Sequence, residues 1–269
     1  MVAAMRELRA AMDARTPHGS LQLSFDAPWS PWGLPQANVS GAAPACVDGR
    51  CFDFKGIAST FGENDFFFVM DYAMQSQIYA RPGSNGSRCA AGADCPLAKV
   101  QLGMRQFLEA GVPADQLVLV APWSSMYYPC LATSARGECD ITHRPFSNAP
   151  CSDLSADLHW SVNYNEALSL HLAHPDAPVR LDATTATAIF DVPWNWTEPG
   201  RGSGTRVRVF WETPEALTLK YKWAGEAGLR GVGLWTSGYA PQGHDAGNRT
   251  VRAAFWASLA SFRAAREAQ

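Results

Sequence analysis

A run of apolar residues that ends abruptly in polar ones is the strongest structural constraint in this sequence. The segment reads DFFFVMDYAMQSQ over positions 65–77, and its apolar part extends from Phe66 to Met70 without interruption. Such a strand is typical of a parallel sheet that is covered on both faces. Because parallel strands present ligand-binding side chains at their carboxyl ends, Tyr72 is the first candidate functional residue.

The same strand begins a strand, helix, strand succession. Apolar residues repeat on one face of a predicted helix over Leu97–Ala110, and Gly111 with Pro113 ends it. Leu117–Ala121 is the next predicted buried strand. This βαβ unit predicts an α/β fold with a parallel sheet. A chain of 269 residues, 47% of them hydrophobic, is long enough to bury the core of one large domain.

We expect a single domain made of three stretches. Residues 1–130 supply the first strands, and residues 131–205 are predicted to be an irregular, cysteine-containing insertion. Residues 206–269 carry the last strands, over Arg206–Trp211 and Gly231–Trp235, and a closing amphipathic helix.

Composition excludes several classes of function. The net charge is −3, and no block of basic residues is present that would bind a phosphate backbone, so nucleic acid is not a predicted partner. No apolar run is long enough to span a membrane. Ten Trp and seven Tyr suit either sugar binding or ordinary core packing. No metal site is predicted from the spacing of the potential ligands, and no cofactor is predicted either.

Cysteines and glycosylation sequons together favour a secretory route, with a lysosomal or extracellular destination. The sequons begin at Asn38, Asn85, Asn195 and Asn248. The seven cysteines are Cys46, Cys51, Cys89, Cys95, Cys130, Cys139 and Cys151. Local bridges Cys46–Cys51 and Cys89–Cys95 are plausible, which leaves the last three cysteines to supply one pair and one unpaired thiol. Met1–Arg15 is predicted to be an amphipathic helix, because Val2, Met5, Leu8 and Met12 fall on one face. Its charges are incompatible with a signal peptide.

Six motifs together resemble glycoside hydrolase family 18. Met70-Asp71-Tyr72, followed by Gln75-Ser76-Gln77, is similar to the Met-x-Tyr-Asp motif of the sixth barrel strand and to the run that follows it in the family's chitobiase branch. The other motifs are SFDAPWSP (24–31), LVLVAPW (117–123), APCSD (149–153), VFWETPEALTLK (209–220) and LRGVGLW (229–235). The resemblance implies strands five to eight of a (β/α)8 barrel, with a long insertion before the last strand, and hydrolysis of chitin-derived N-acetylglucosamine oligosaccharides.

The resemblance also implies four substrate-binding candidates. Tyr72 matches a tyrosine that hydrogen-bonds the acetamide carbonyl of the sugar, and Trp235 matches the tryptophan beneath the distorted sugar. For both residues the alternative is packing alone. Asp26 matches a family aspartate whose role is either binding or structural, and Trp123 either stacks at the rim or packs in the core.

Two departures from the family pattern bear on this site. Ala73 stands where the family motif has aspartate, and Asp71, on the opposite side of the strand, is a doubtful replacement. Ser124 and Ser125 stand where the family commonly has tyrosine and glycine. The sugar site is therefore expected to differ from that of typical family members.

The family's catalytic motif is absent from these 269 residues. Family members place their general acid in Asp-x-x-Asp-x-Asp-x-Glu, and no glutamate here follows aspartates at those offsets. Met1–Arg15 resembles the helix that follows this motif, so we expect the chain to begin just after it and to be an inactive fragment. The rival interpretation is a non-catalytic, lectin-like protein that binds N-acetylglucosamine. Open barrel edges also predict self-association.

Overall fold

The computed structural model describes residues 1–16, 21–31, 52–74, 89–134, 137–141, 160–198 and 202–269. The helices are α1 Val2–Asp13, α2 Phe54–Ala58, α3 Leu97–Glu109, α4 Tyr164–Ala173, α5 Pro214–Glu226, α6 Ala246–Ser258 and α7 Ala260–Glu267. The strands are β1 Ser24–Pro28, β2 Phe66–Met70, β3 Cys89–Ala90, β4 Leu117–Pro122, β5 Ser125–Cys130, β6 Ala132–Thr133, β7 Cys139–Ile141, β8 Trp160–Val162, β9 Arg180–Asp182, β10 Thr187–Glu198, β11 Gly202–Trp211 and β12 Gly231–Trp235.

Four strands form a parallel sheet in the order β1-β2-β4-β12. Helix α3 connects β2 to β4, and α5 precedes β12, as in a succession of βα units. The predicted α/β class with a parallel sheet is confirmed. Within the described residues the sheet does not close into a barrel, because β1 and β12 each pair on one side only.

The two faces of this sheet are covered unequally. Phe67, Val69 and Leu119 are fully buried on the face that packs against the helices. On the other face Phe68 and Met70 are only half-buried. The expectation that Phe66–Met70 is covered on both faces is therefore wrong in this structure, because few groups pack on the face that a closed barrel would enclose. The carboxyl ends of all four strands lie at the same edge, which we call the mouth.

A buried ion pair attaches helix α1 to the sheet. The Arg9 guanidinium lies 3.1 Å from the Asp65 carboxylate, which also accepts hydrogen bonds from the backbone N–H groups of Leu23 and Gly62 at 2.7 Å each. A buried carboxylate stays ionised at low cost only when it is paired and hydrogen-bonded in this way. Asp65 thus fixes the entry to both β1 and β2, the strands that carry Asp26 and Tyr72 to the mouth.

The segment between β4 and α5 forms its own antiparallel sheet, in the order β8-β5-β11-β10-β9. The prediction of an irregular insertion over 131–205 is wrong where the structure describes it. Strand β11 pairs antiparallel with β5 and β10, so Arg206–Trp211 is also not a strand of the parallel sheet. Its alternating apolar residues pack on both sides: Val207 and Val209 lie beneath helix α4, and Phe210 faces a separate cluster.

A second, smaller sheet has the strand order β3-β7-β6. The Cys130–Cys139 disulfide joins its strand β7 to β5 of the larger sheet. The bridge Cys89–Cys95 is not formed: Cys95 is a buried free thiol at the start of the turn into α3. Cys46, Cys51 and Cys151 lie outside the described residues. No helix in the described ranges is long and apolar enough to cross a membrane.

Candidate functional site

Tyr72 and Trp235 meet at the mouth. Their rings stack with centroids 5.9 Å apart and planes 20° from parallel. Trp235 is the last residue of β12 and is 51% exposed, whereas Tyr72 follows β2 and is half-buried. Strand β4 lies between these strands, and the backbone N–H of Trp123 donates to the Trp235 carbonyl at 3.0 Å. The parallel register thus brings together two residues that are 163 positions apart in sequence.

Glycine in β12 makes room beneath this pair. A Cβ at Gly233 would lie 3.3 Å from Val120 and 3.4 Å from the ring of Phe68, so a larger residue would crowd both. The missing side chain lets the Phe68 ring lie over β4 and β12. By strand alternation Gly233 lies on the same face of β12 as Trp235, so this face of the sheet offers apolar surface that suits the carbon-rich face of a pyranose ring.

Asp26 is exposed on β1, opposite Phe68 in the register of the neighbouring strand β2. Burial raises the pKa of the Tyr72 phenol, and the negative charges of Asp26 and Asp94 raise it further. The Tyr72 hydroxyl therefore keeps its proton at physiological pH. It is available as a hydrogen-bond donor to a carbonyl oxygen.

Asp94, which was not among the predicted site residues, holds the backbone that follows Tyr72. Its Oδ1 accepts the backbone N–H of Ala73 at 2.7 Å, and its Oδ2 accepts the hydroxyl of Ser124 at 3.3 Å. Its backbone carbonyl accepts the N–H of Met74 at 3.0 Å. Ala73 adopts a positive φ of 57°. Residues other than glycine rarely adopt this backbone conformation unless neighbouring contacts hold it. Asp94 thus ties the turn after β2 to the end of β4.

Burial dominates the electrostatics of Asp94. Its pKa is raised to about 7 by desolvation, and the Glu212 carboxylate adds to the rise. The Ala73 N–H, the Ser124 hydroxyl and the Lys220 ammonium act in the opposite direction. Asp94 lies in a stretch of small residues without hydrophobic periodicity, so no sequence signal could have marked it.

A buried ion pair lies deeper beneath the mouth. Lys220 Nζ donates to Glu212 Oε2 at 2.5 Å, and the Thr187 hydroxyl donates to the other Glu212 oxygen at 3.0 Å.

Burial raises the pKa of both Asp71 and Cys95 well above their ordinary values. Asp71 is fully buried and neither carboxylate oxygen bonds a described residue, so it cannot reach a ligand at the mouth.

Trp123 is not a rim residue. It is completely buried, its indole N–H donates to the Tyr221 hydroxyl at 3.1 Å, and its ring packs against Phe255 and Trp256 at 5.0 and 5.1 Å. The candidate role of Trp123 in sugar stacking is therefore wrong here. The side chain points into the layer between the sheet and the helices, where Tyr221 of α5 and Phe255 and Trp256 of α6 contact it.

Two of the four predicted glycosylation sites, Asn195 and Asn248, lie within the described residues. Asn195 is exposed on β10, and Asn248 lies in the first turn of α6, where its side chain bonds both Asp245 and Asn165. Asn38 and Asn85 fall outside the described residues. Within the described part of the chain, no group of three His, Cys, Asp or Glu residues is placed to hold a metal ion.

Comparison with known proteins supports the likeness inferred from the motifs. The chain is 29% identical over 244 residues to mouse di-N-acetylchitobiase, covering 88% of this chain and 56% of the relative. It is 29% identical over 247 residues to the probable di-N-acetylchitobiase 2 of Dictyostelium discoideum, covering 90% and 56%. The chain is a homologue of the di-N-acetylchitobiases. It spans a little over half the length of these relatives, and no protein-family model matches it.

Solved structures share the fold. A class V chitinase mutant from Cycas revoluta in complex with (GlcNAc)3 superposes with a TM-score of 0.60 at 18% identity, covering 97% of this chain and 60% of the chitinase. A chitinase from Chromobacterium violaceum gives 0.59 at 17% identity, covering 98% and 61%. These neighbours are TIM-barrel chitinases of family 18, so the four parallel strands of this chitobiase homologue correspond to part of such a barrel.

Proposed function

We propose that the mouth of this chain binds N-acetylglucosamine oligosaccharides derived from chitin. The observation that carries the proposal is the stacked pair of Tyr72 and Trp235 at the carboxyl ends of two parallel strands. The half-exposed indole offers an apolar face to the C–H groups of a pyranose. The neutral Tyr72 hydroxyl donates to the acetamide carbonyl, and Asp26 at the rim accepts hydrogen bonds from sugar hydroxyls.

In the complete protein we propose that this wall serves a substrate-assisted, retaining hydrolysis in carbohydrate catabolism. In that reaction an acid protonates the glycosidic oxygen while the acetamide oxygen of the sugar attacks the anomeric carbon and displaces the leaving group. Water then opens the cyclic intermediate. Tyr72 contributes by holding the acetamide oxygen in line with the anomeric carbon. The homology to di-N-acetylchitobiases supports this reaction class.

The 269 residues alone are expected not to hydrolyse chitobiose, because they contain no Asp-x-x-Asp-x-Asp-x-Glu. The loss of a general acid typically lowers the rate by about 10²- to 10⁴-fold. The same observation favours a second candidate function, a non-catalytic protein that binds N-acetylglucosamine. A gene that encodes this chain together with an upstream Asp-x-x-Asp-x-Asp-x-Glu strand supports the hydrolase; an upstream barrel without that glutamate supports the binding protein.

We further propose that the protein is a glycoprotein that follows the secretory route to the lysosome or the cell exterior. The Cys130–Cys139 disulfide supports an oxidising compartment, and the exposed position of Asn195 suits glycan attachment. The open edges of β1 and β12 and the half-buried sheet face support self-association with a second copy. Sedimentation velocity tests this: a monomer at every concentration contradicts it.

Calorimetric titration with triacetylchitotriose tests the binding proposal, with cellotriose as the control ligand that lacks acetamide groups. The Trp235→Ala variant is expected to lose most of the affinity of the mouth for the trisaccharide. The matched control is Trp256→Ala, which removes an indole that is also 50% exposed but lies on helix α6. Equal affinity of the intact chain and Trp235→Ala would exclude the mouth as the sugar site.

A further inference from the structure

A second cavity lies between the insertion and the loop that follows β12. Its volume is about 610 Å³, within the range of small-molecule sites. Strands β5 and β10 supply Tyr127 and Trp194, helix α4 supplies one side, and residues 238–243 close the other. None of Tyr72, Trp235, Asp26 or Asp94 lines it, so this cavity is separate from the mouth.

The cavity has an aromatic platform of its own. The rings of Tyr127 and Trp194 stack with centroids 6.1 Å apart and planes 25° from parallel. Tyr127 is half-buried, and Trp194 is 43% exposed. Burial raises the pKa of the Tyr127 phenol, and the nearby Glu166 carboxylate raises it further, so the hydroxyl stays protonated. The stack fixes the Trp194 ring while leaving part of its surface open to a ligand.

Polar groups on α4 stand at fixed positions around this platform. Asn163 caps the helix: its side chain accepts the Glu166 N–H at 3.0 Å, and the Glu166 carboxylate accepts the Asn163 N–H at 2.7 Å. The amide of Asn165 donates to Asn248 on α6 at 3.0 Å. Each contact uses only some of the hydrogen-bonding groups of the side chain, since an amide has two donors and two acceptor lone pairs. The hydrogen-bonding groups that remain keep a defined orientation and can bind a ligand.

The opposite wall is equally well ordered. Gln242 donates through Nε2 to the carbonyls of Ser237 and Ala240 at 3.0 and 2.6 Å, and Arg252 donates to the carbonyl of Pro241 at 2.7 Å. Val162, Leu170 and Ala240 supply apolar surface between the polar groups. The walls therefore suit a ligand with one apolar ring face, several hydroxyl groups, an amide and a methyl group.

We propose that this cavity is a second carbohydrate site, which takes an N-acetylated hexose on the Trp194 face. The carbon-rich face of the pyranose lies on the indole, the acetamide meets the amides of Asn165 and Gln242, and its methyl group contacts Leu170. The proposal extends the proposed function to another part of the same chain. It does not depend on the mouth, because the two sites share no residue.

Calorimetric titration of the 269-residue chain with diacetylchitobiose tests this site in the Trp235→Ala background. We expect that variant to keep one binding site, and Trp194→Ala to weaken that site about tenfold when added to it. Trp194→Phe restores most of the affinity, since it keeps a stacking face. Cellobiose, which lacks the acetamide, binds more weakly to the same site. Circular dichroism verifies that each variant is folded.

The outcomes separate the two sites. Loss of all binding in Trp235→Ala alone would overturn the second site and leave the mouth intact. Unchanged binding in Trp235→Ala, abolished by Trp194→Ala, would support the second site and refute the mouth. Equal affinity of Trp235→Ala with and without Trp194→Ala overturns the second site, and failure of the intact chain to bind diacetylchitobiose overturns both.

Discussion

Replacing Asp94 by asparagine tests the buried polar groups beneath the mouth. Asp94 is 6% exposed, and burial raises the pKa of its carboxyl to about 7. The unfolded chain releases the same proton at about pH 4. Between these values the folded protein binds a proton that the unfolded chain does not, so stability falls as the pH rises.

The magnitude follows from proton linkage. One such group lowers the free energy of unfolding by about 1.4 kcal/mol for each pH unit, or about 4 kcal/mol over the whole interval. Its contribution is fully present below about pH 4 and is lost as the pH rises through about 7. Burial also raises the pKa values of Asp71 and Glu212, which act in the same direction. The wild-type slope therefore contains all three groups, and only a difference between variants isolates Asp94.

Asp94→Asn keeps an acceptor for the Ala73 N–H but removes the titrating proton. Urea unfolding of wild type and variant between about pH 4 and pH 7.5 measures the difference. We expect the variant to gain stability relative to wild type by about 1.4 kcal/mol per pH unit in this interval. Asp26→Asn removes an exposed carboxylate and is the control for the loss of one negative charge. Parallel curves for Asp94→Asn and wild type would refute the assignment.

Three further changes test other parts of the site and fold. Tyr72→Phe removes the proposed donor to the acetamide and should weaken triacetylchitotriose binding about tenfold by calorimetry, whereas unchanged affinity would make Tyr72 a packing residue. Lys220→Met leaves Glu212 buried without its counter-ion and should lower the free energy of unfolding by about 3–5 kcal/mol in urea; a loss below about 1 kcal/mol would contradict the burial of that pair. Cys130→Ser opens the disulfide and should cost about 2–3 kcal/mol, after which dithiothreitol shifts the unfolding midpoint less than it does in wild type. Equal shifts in variant and wild type would argue against the Cys130–Cys139 pairing.

The parallel sheet could be predicted because its elements are defined locally. Apolar runs in β2 and β4, the amphipathic face of α3 and the short strand β12 each carry a periodic pattern that does not depend on distant residues. The order of the strands then follows from βα connections. Tyr72 and Trp235 could each be named as a candidate at the end of a predicted strand, but their stacking on each other was not predicted.

The insertion and the deeper site could not be predicted in this way. Strand β11 was predicted, but its sequence neighbour β10, with which it pairs antiparallel, was missed. Its other antiparallel partner, β5, ends at Cys130, far from Gly202 in the sequence, so nothing local specifies that pairing. Trp123 was misassigned because a strand end gives no information on whether the next side chain turns outward or inward. Asp94 accepts hydrogen bonds from the Ala73 backbone N–H and the Ser124 hydroxyl, which are distant from it in the sequence, so its role could not be predicted from sequence patterns.

The buried acids beneath the mouth connect its stability to pH. Asp71 and Asp94 both have raised pKa values and are neutral at acidic pH, while Lys220 and Glu212 balance each other. Under these conditions the region below Tyr72 carries little net charge. As the pH rises through about 7, Asp94 ionises. The carboxylate then becomes a buried charge near Glu212, which opposes folding of the turn that positions Tyr72. The proposed sugar-binding wall is therefore most stable in an acidic compartment, which is the setting that the proposed lysosomal route supplies.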